Sequence, residues 1–365
     1  MRLSWSIVML AVLLLAMGCR SSQATSKDGP CDLGVKPLPE RVQRGISLAH
    51  NYQHKGSRGY GSATSDRTLA ELSDLGAQWV SLTPFGFMRS LDEPVVHFIG
   101  DYPGGETDER MERVIAQAKA RGLQVLLKPH LWIARGDWRG EIGFEEDSDW
   151  QRWFDSYERW ILHYADMAQR LGVDTLVVGV EFRSSQKSHE DLWRALVGEV
   201  RKRFQGKLTY SANWDDAAEL PWWDALDYIG VQFYPPLASG LEARPPKLES
   251  ALASQLGALE GLSKRYDKPV LFTEVGYRAA EDGLQHPHEW PERSYAKSAN
   301  PKTQELGYRA FFDAIRARPW VRGVYWWKWF TDPNTDEEGP AGFSPRGKPA
   351  ERVLRAAYGG SCRAP

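Results

Sequence analysis

Beyond residue 43 the chain alternates between two hydrophobic rhythms. Segments whose apolar residues return every three or four positions, as on one face of a helix, are followed by short and nearly continuous apolar runs of strand length. The runs cover residues 44–53, 77–87, 123–133, 173–182, 207–214, 227–237, 268–277 and 322–330. Helical spacing fills the intervals, from "SDRTLAELSDLG" and "TDERMERVIAQAKARG" through to the closing "KPAERVLRAAYG", with only a short helical piece, "PWWDAL", before the sixth run. In the helix following the third run, Trp153, Phe154, Tyr157, Trp160, Ile161 and Tyr164 share one face. Ser148 stands where an N-cap would, and Gly172 where a left-handed stop would. Strict alternation predicts parallel strands joined by crossover helices. Eight such units within residues 38–360 predict an α/β fold: a single-domain (β/α)8 TIM barrel. An open doubly wound sheet would bring a Gly-rich phosphate loop after its first strand, and none is present.

Active sites of such barrels lie at the C-terminal ends of the strands, and two of those ends carry a glutamate. The fourth run, "LVVGVEF", reaches Glu181, and the seventh, "KPVLFTEVGY", reaches Glu274. Strand alternation puts Thr175, Val177, Gly179 and Glu181 on one face and Leu176, Val178, Val180 and Phe182 on the other. The bulkier set suits the helix-packed side, which leaves Glu181 inward. Strands four and seven face each other across a barrel, so both carboxylates can meet one substrate. Hydrolysis of a glycosidic bond uses such a pair, one to donate a proton and one to face the developing oxocarbenium ion.

Composition adds two things. The formal net charge of −2 gives no electrostatic case for nucleic acid. The 16 Trp, 14 Tyr and 13 Phe suit either an aromatic core or a cleft that stacks sugars. Ahead of the domain, residues 1–18 read as a signal peptide: Arg2, an apolar stretch too short to span a bilayer comfortably, then "AMGC". The last four residues resemble a bacterial lipoprotein signal, which implies lipid on Cys19, a polar tether over 19–37 and an exported, membrane-anchored protein; an ordinary signal peptide is the alternative. Barrel closure brings the ends of the domain together, and an oxidising compartment would let Cys31 and Cys362 pair.

The runs "KPHLW", "DWRGEI", "YADMAQRLGVDTLVVGVEF", "YIGVQFYPPL", "PVLFTEVGYR", "VYWWKWF" and "GFSPRGKPAERVL" together resemble glycoside hydrolase family 113, a family of clan A retaining glycosidases whose described members are β-mannanases. The resemblance implies that Glu181 is the acid/base, that Glu274 is the nucleophile and that Tyr234 orients Glu274. Retention would set the two carboxyls roughly 5–5.5 Å apart. It implies a β-glycan substrate, no cofactor and, as we read it, a monomer. On polarity and position Lys128, His130, Trp132, Trp138, Asn213, Trp214, Trp327 and Trp329 are candidate sugar contacts, the last two on a shared face of the eighth strand. No metal ligand set is expected, and "HPHEW" (286–290) reads as a solvated lid. Clan A members commonly carry Asn just before the acid/base, its amide meeting the sugar 2-hydroxyl. Here that position is Val180, which can make no such bond. An exo-acting β-glycosidase and a non-catalytic glycan-binding barrel are the alternatives.

Overall fold

The computed structural model describes residues 33–98, 104–238, 245–289, 298–335 and 337–361. Eight parallel strands close on themselves: β1 (Gln43–Ala49), β2 (Trp79–Leu82), β5 (Gln124–Leu127), β7 (Thr175–Val180), β8 (Lys207–Asn213), β9 (Ile229–Phe233), β10 (Val270–Val275) and β11 (Val321–Phe330). Seven α-helices, α1 (Ala63–Asp74), α2 (Asp108–Ala120), α3 (Asp147–Leu171), α4 (Glu190–Arg203), α5 (Pro245–Tyr266), α6 (Pro301–Arg316) and α7 (Pro349–Tyr358), belong to the outer layer. The crossover from β8 to β9 has short 3₁₀ turns at Ala217–Glu219 and Trp223–Ala225, the latter within the expected "PWWDAL" piece. Gly172 ends α3 at φ 62° as its position suggests, but the helix starts at Asp147 with Glu146 at its cap, so Ser148 lies inside it.

The second and third runs are each two strands. Pro84 and Pro129, which cannot donate to a ladder, cut them, and the chain beyond leaves the barrel. β3 (Phe85–Met88), β4 (His97–Phe98) and β6 (His130–Ile133) pair in a separate three-stranded sheet at the barrel mouth.

Strand alternation is interrupted in three barrel strands, and each interruption moves a functional position. Between Val177 and Val180, β7 spends three residues where β8 spends two. Val177 and Val180 therefore both enter the inner barrel layer with Trp79, Leu126, Tyr228, Leu271 and Tyr325. Gly179 turns outward: a Cβ there would come within 2.7 Å of the Tyr210 ring and 2.9 Å of Trp193. β10 carries an extra residue relative to β9 between Phe272 and Glu274, and β11 one relative to β1 between Trp326 and Trp329. Bulges of this kind re-aim side chains at barrel rims.

The β7 bulge is pinned from outside. Tyr157 donates to the Val178 carbonyl (2.9 Å), Phe182 N–H donates to the Tyr210 hydroxyl (2.7 Å), and Glu181 N–H donates to the Ser211 carbonyl (2.9 Å). Trp153 stacks on Tyr157 and Trp193 on Trp222, all four fully buried. Much of the aromatic content is therefore outer core.

Residues 33–36 of the expected tether lie on α6, held where Arg309 and Arg316 donate to the carbonyls of Leu33 (3.0 Å) and Lys36 (2.8 Å). Leu38 N–H donates to the Ala357 carbonyl (2.8 Å), which ties the start of the barrel to its last helix. Cys19, Cys31, Cys362 and the expected signal peptide lie outside the described residues. No helix among the described residues is long and apolar enough to cross a membrane.

Gly179→Ala should overpack the wall formed by Tyr210 and Trp193, costing about 1–3 kcal/mol, and should displace Glu181 two residues on. A lowered melting temperature together with reduced turnover is the expected result; wild-type values for both would show that the wall yields.

Candidate active site

A cleft of about 1290 Å³ opens at the C-terminal ends of the strands. Glu181 leaves β7 with φ 58°, a left-handed backbone uncommon for a residue with a side chain, and its carboxylate turns into this cleft. Arg139 donates to its Oε2 at 2.6 Å and the Trp138 indole N–H at 3.1 Å. Burial pushes the Glu181 carboxyl above its ordinary value; Arg139 opposes that, and the charge of Glu274 adds to it.

Glu274 is 5% exposed. Without the β10 bulge it would share a face with Phe272, which packs on Phe311 toward α6. With it, the carboxylate faces the cleft and Val275 takes the outer position. Tyr234 donates its hydroxyl to Oε2 at 2.8 Å, and Lys128 Nζ pairs with Oε1. Burial and the neighbouring carboxylate hold the Tyr234 phenol well above its ordinary value, so it remains a donor. Lys128 is fully buried; that burial draws its ammonium down while Glu274 draws it back up.

The structure re-sorts the expected sugar contacts. Lys128 does not line the cleft; it is the counter-ion beneath Glu274. His130 does line it, with Nε2 3.8 Å from Glu274 Oε1, and burial with the Arg139 and Lys128 charges holds it well below its ordinary value and neutral. Trp132, 43% exposed on β6, forms part of the rim with Phe85 edge-on to it. Trp138, Asn213 and Trp214 line the cleft, and His288 of the "HPHEW" segment packs against Trp214 at 5.6 Å. That segment thus contributes a cleft wall, with Trp290 outside the described residues.

Trp327 faces the cleft, but Trp329 does not share its face. The β11 bulge sends Trp329 into the outer core, where the Arg346 guanidinium lies 5.1 Å from its ring centre. Val180 likewise has no surface on the cleft; it is fully buried inside the barrel.

Sequence reasoning did not single out Arg139, His50, Arg183 or Gln232, all of which line the cleft. Gln232 carried a usable signal, a polar residue inside the apolar run "IGVQF". Arg139 opens a single 3₁₀ turn, Arg139–Glu141, too short for any periodicity to distinguish it. Among the described residues no group of three or more His, Cys, Asp or Glu is placed to hold a metal ion.

Against this geometry, the sequence profile of Glycoside Hydrolase Family 113 matches residues 50–348. The chain belongs to glycoside hydrolase family 113. Solved structures in the family are close in shape. One, a GH113 β-mannanase from Alicyclobacillus acidocaldarius in complex with ManMIm, is 27% identical at a TM-score of 0.77, over 91% of this chain and 99% of that one. Another, a complex of a GH113 β-1,4-mannanase, is 27% identical at 0.76, over 87% and 99%. Among curated proteins no sequence matches. As a family 113 member the protein is a glycoside hydrolase.

Replacing Lys128 by Met would leave a buried carboxylate without its cation. Breaking such a pair from one side costs about 3–5 kcal/mol. The variant should unfold at markedly lower temperature; an unchanged melting curve would mean that solvent already compensates Glu274.

Proposed function

We propose that this glycoside hydrolase cuts β-1,4-linked mannan-type polysaccharide with retention of anomeric configuration. Glu274 attacks the anomeric carbon while Glu181 protonates the departing oxygen; Glu181 then takes a proton from the water that releases the glycosyl-enzyme. The observation that carries the reading is the contrast between the two carboxyls. Glu274 accepts from both Lys128 Nζ and the Tyr234 hydroxyl, which orients it as a nucleophile. Glu181 is pushed upward by burial and by the charge of Glu274, which suits an acid. Once Glu274 is esterified by the sugar its charge is gone, and Glu181 can more readily become the base of the second step. Trp327 against the cleft and Trp132 at its rim offer faces for stacking pyranose rings. The mannan assignment rests on the family and on the named activity of the solved relatives. A lipid-bearing Cys19 would set the enzyme at a membrane surface outside the cytoplasm.

Product analysis on mannan, glucomannan, xylan and cellulose oligosaccharides, followed by proton NMR of the first product, tests this. The expected outcome is cleavage of the mannan series with the β-anomer appearing first. Glu181→Ala should lose about 10²–10⁴-fold in rate and Glu274→Ala should form no glycosyl-enzyme. First release of the α-anomer, or full hydrolysis by Glu274→Ala, would remove the mechanism.

The pH profile gives a separate check. Glu181 must be protonated to act as the acid, so kcat/KM falls as pH rises through its raised pKa. Arg139 lowers that pKa. Arg139→Gln should therefore carry the alkaline limb upward, and a downward move would contradict the role given to Arg139.

A further inference from the structure

Four buried polar atoms of cleft-lining residues have no hydrogen-bond partner, Thr83 Oγ1, His130 Nε2, Asn213 Nδ2 and Gln232 Oε1, and the last two lie on neighbouring strands. Asn213 is 5% exposed and Gln232 is 1% exposed, yet Asn213 Nδ2 and Gln232 Oε1 make no hydrogen bond, although both residues line the cleft. They are register neighbours on β8 and β9, and the same lateral row continues to Glu274 on β10. Adjacent strands lie about 4.8 Å apart, so the two amides and the carboxylate stand side by side across the barrel mouth.

The orphaned atoms are complementary in kind. Nδ2 is a donor and Oε1 an acceptor, and they do not satisfy each other. An anion would meet only the donor and a cation only the acceptor. A hydroxyl accepts one hydrogen bond and donates another, so one hydroxyl can meet both. We infer that Asn213 and Gln232 jointly take one hydroxyl of the sugar held against Glu274, and so select for the configuration at the carbon bearing it. Inverting that carbon would carry its oxygen away from the pair and leave both amides unmet, which penalises the wrong epimer more than the loss of an ordinary contact would. Val180, walled inside the barrel, takes no part. This inference rests on the glycan-cleaving reading and adds to it the residues that distinguish one sugar from another.

The test uses full-length wild type, Asn213→Ala, Gln232→Leu and the double variant, with aryl β-glycobiosides in both manno and gluco forms. Each form is made as a series lacking one hydroxyl at a time on the ring that carries the aryl group. Each single variant should lose about 10- to 100-fold in kcat/KM on the complete substrate. Exactly one deoxy substrate should be impaired in the wild type and no further impaired by either substitution, while the other deoxy losses add to those of the variants. Additivity at every position, or variants as active as wild type, would overturn the inference. A merely structural role would lower rates without such coupling, and melting curves would register it. Failure of the mannan reading shows separately, as cleavage of the gluco series in place of the manno series; the coupling is then read in the series that is cleaved.

Discussion

Side chains along a strand alternate with a period of two, and a closed barrel permits no slip of a whole strand to correct a residue that falls on the wrong face. The catalytic end of this protein depends on how that constraint is met. One extra residue in each of β7, β10 and β11 changes the phase of alternation just where the strands reach the mouth. Below the bulges the inward layer is largely apolar, with Val177, Val180, Leu126, Leu271, Trp79, Tyr228 and Tyr325 packed together and Gln43 accepting from the Tyr325 hydroxyl. Above them Glu274 and Trp327 turn toward the cleft, while Val275 and Trp329, which regular alternation would have turned inward, join the helices. The phase changes have to be held, and the aromatic layer beneath α3 and α4 holds the one in β7 through the Tyr157 and Tyr210 hydroxyls. The rings most remote from solvent thus help fix the aim of Glu181.

The electrostatics follow the same geometry. A carboxylate as buried as Glu274 is costly without a partner, and Lys128 supplies one from across the barrel while staying out of the cleft itself. Lys128 Nζ also donates to the Thr273 carbonyl within the β10 bulge (3.3 Å), a second tie to the strand that carries Glu274. Glu181 is balanced differently. Its partners Trp138 and Arg139 come from the start of a 3₁₀ turn between β6 and α3, and Arg139 is itself tied to the Leu131 carbonyl of β6 at 2.8 Å.

The barrel was legible because eight apolar runs separated by helical spacing admit few other arrangements, and the two glutamates were legible because a charge at the end of an apolar run is conspicuous. Faces beyond the bulges were not. Regular alternation places Val180 outward and Trp329 beside Trp327, and both assignments fail because a single inserted residue leaves no mark in hydrophobicity. Lys128 shows the same limit from another side: its polarity announced a role near the site, but only the fold shows that it lies behind the carboxylate. Arg139 gave no signal, since loop residues acquire partners through the path of the chain and not through a repeat.

Pro84 and Pro129 divide labour within two of the runs. Upstream of each proline the residues are staves of the barrel, paired on both sides and closed to change. Downstream, β3 pairs with both β6 and β4, outside the closed ladder. Substitution at an exposed position there, such as Trp132, alters the cleft rim without touching the register that keeps the barrel shut. The two prolines thus separate the closed ladder from the cleft rim, of which only the outward positions, such as Trp132, are free of the core.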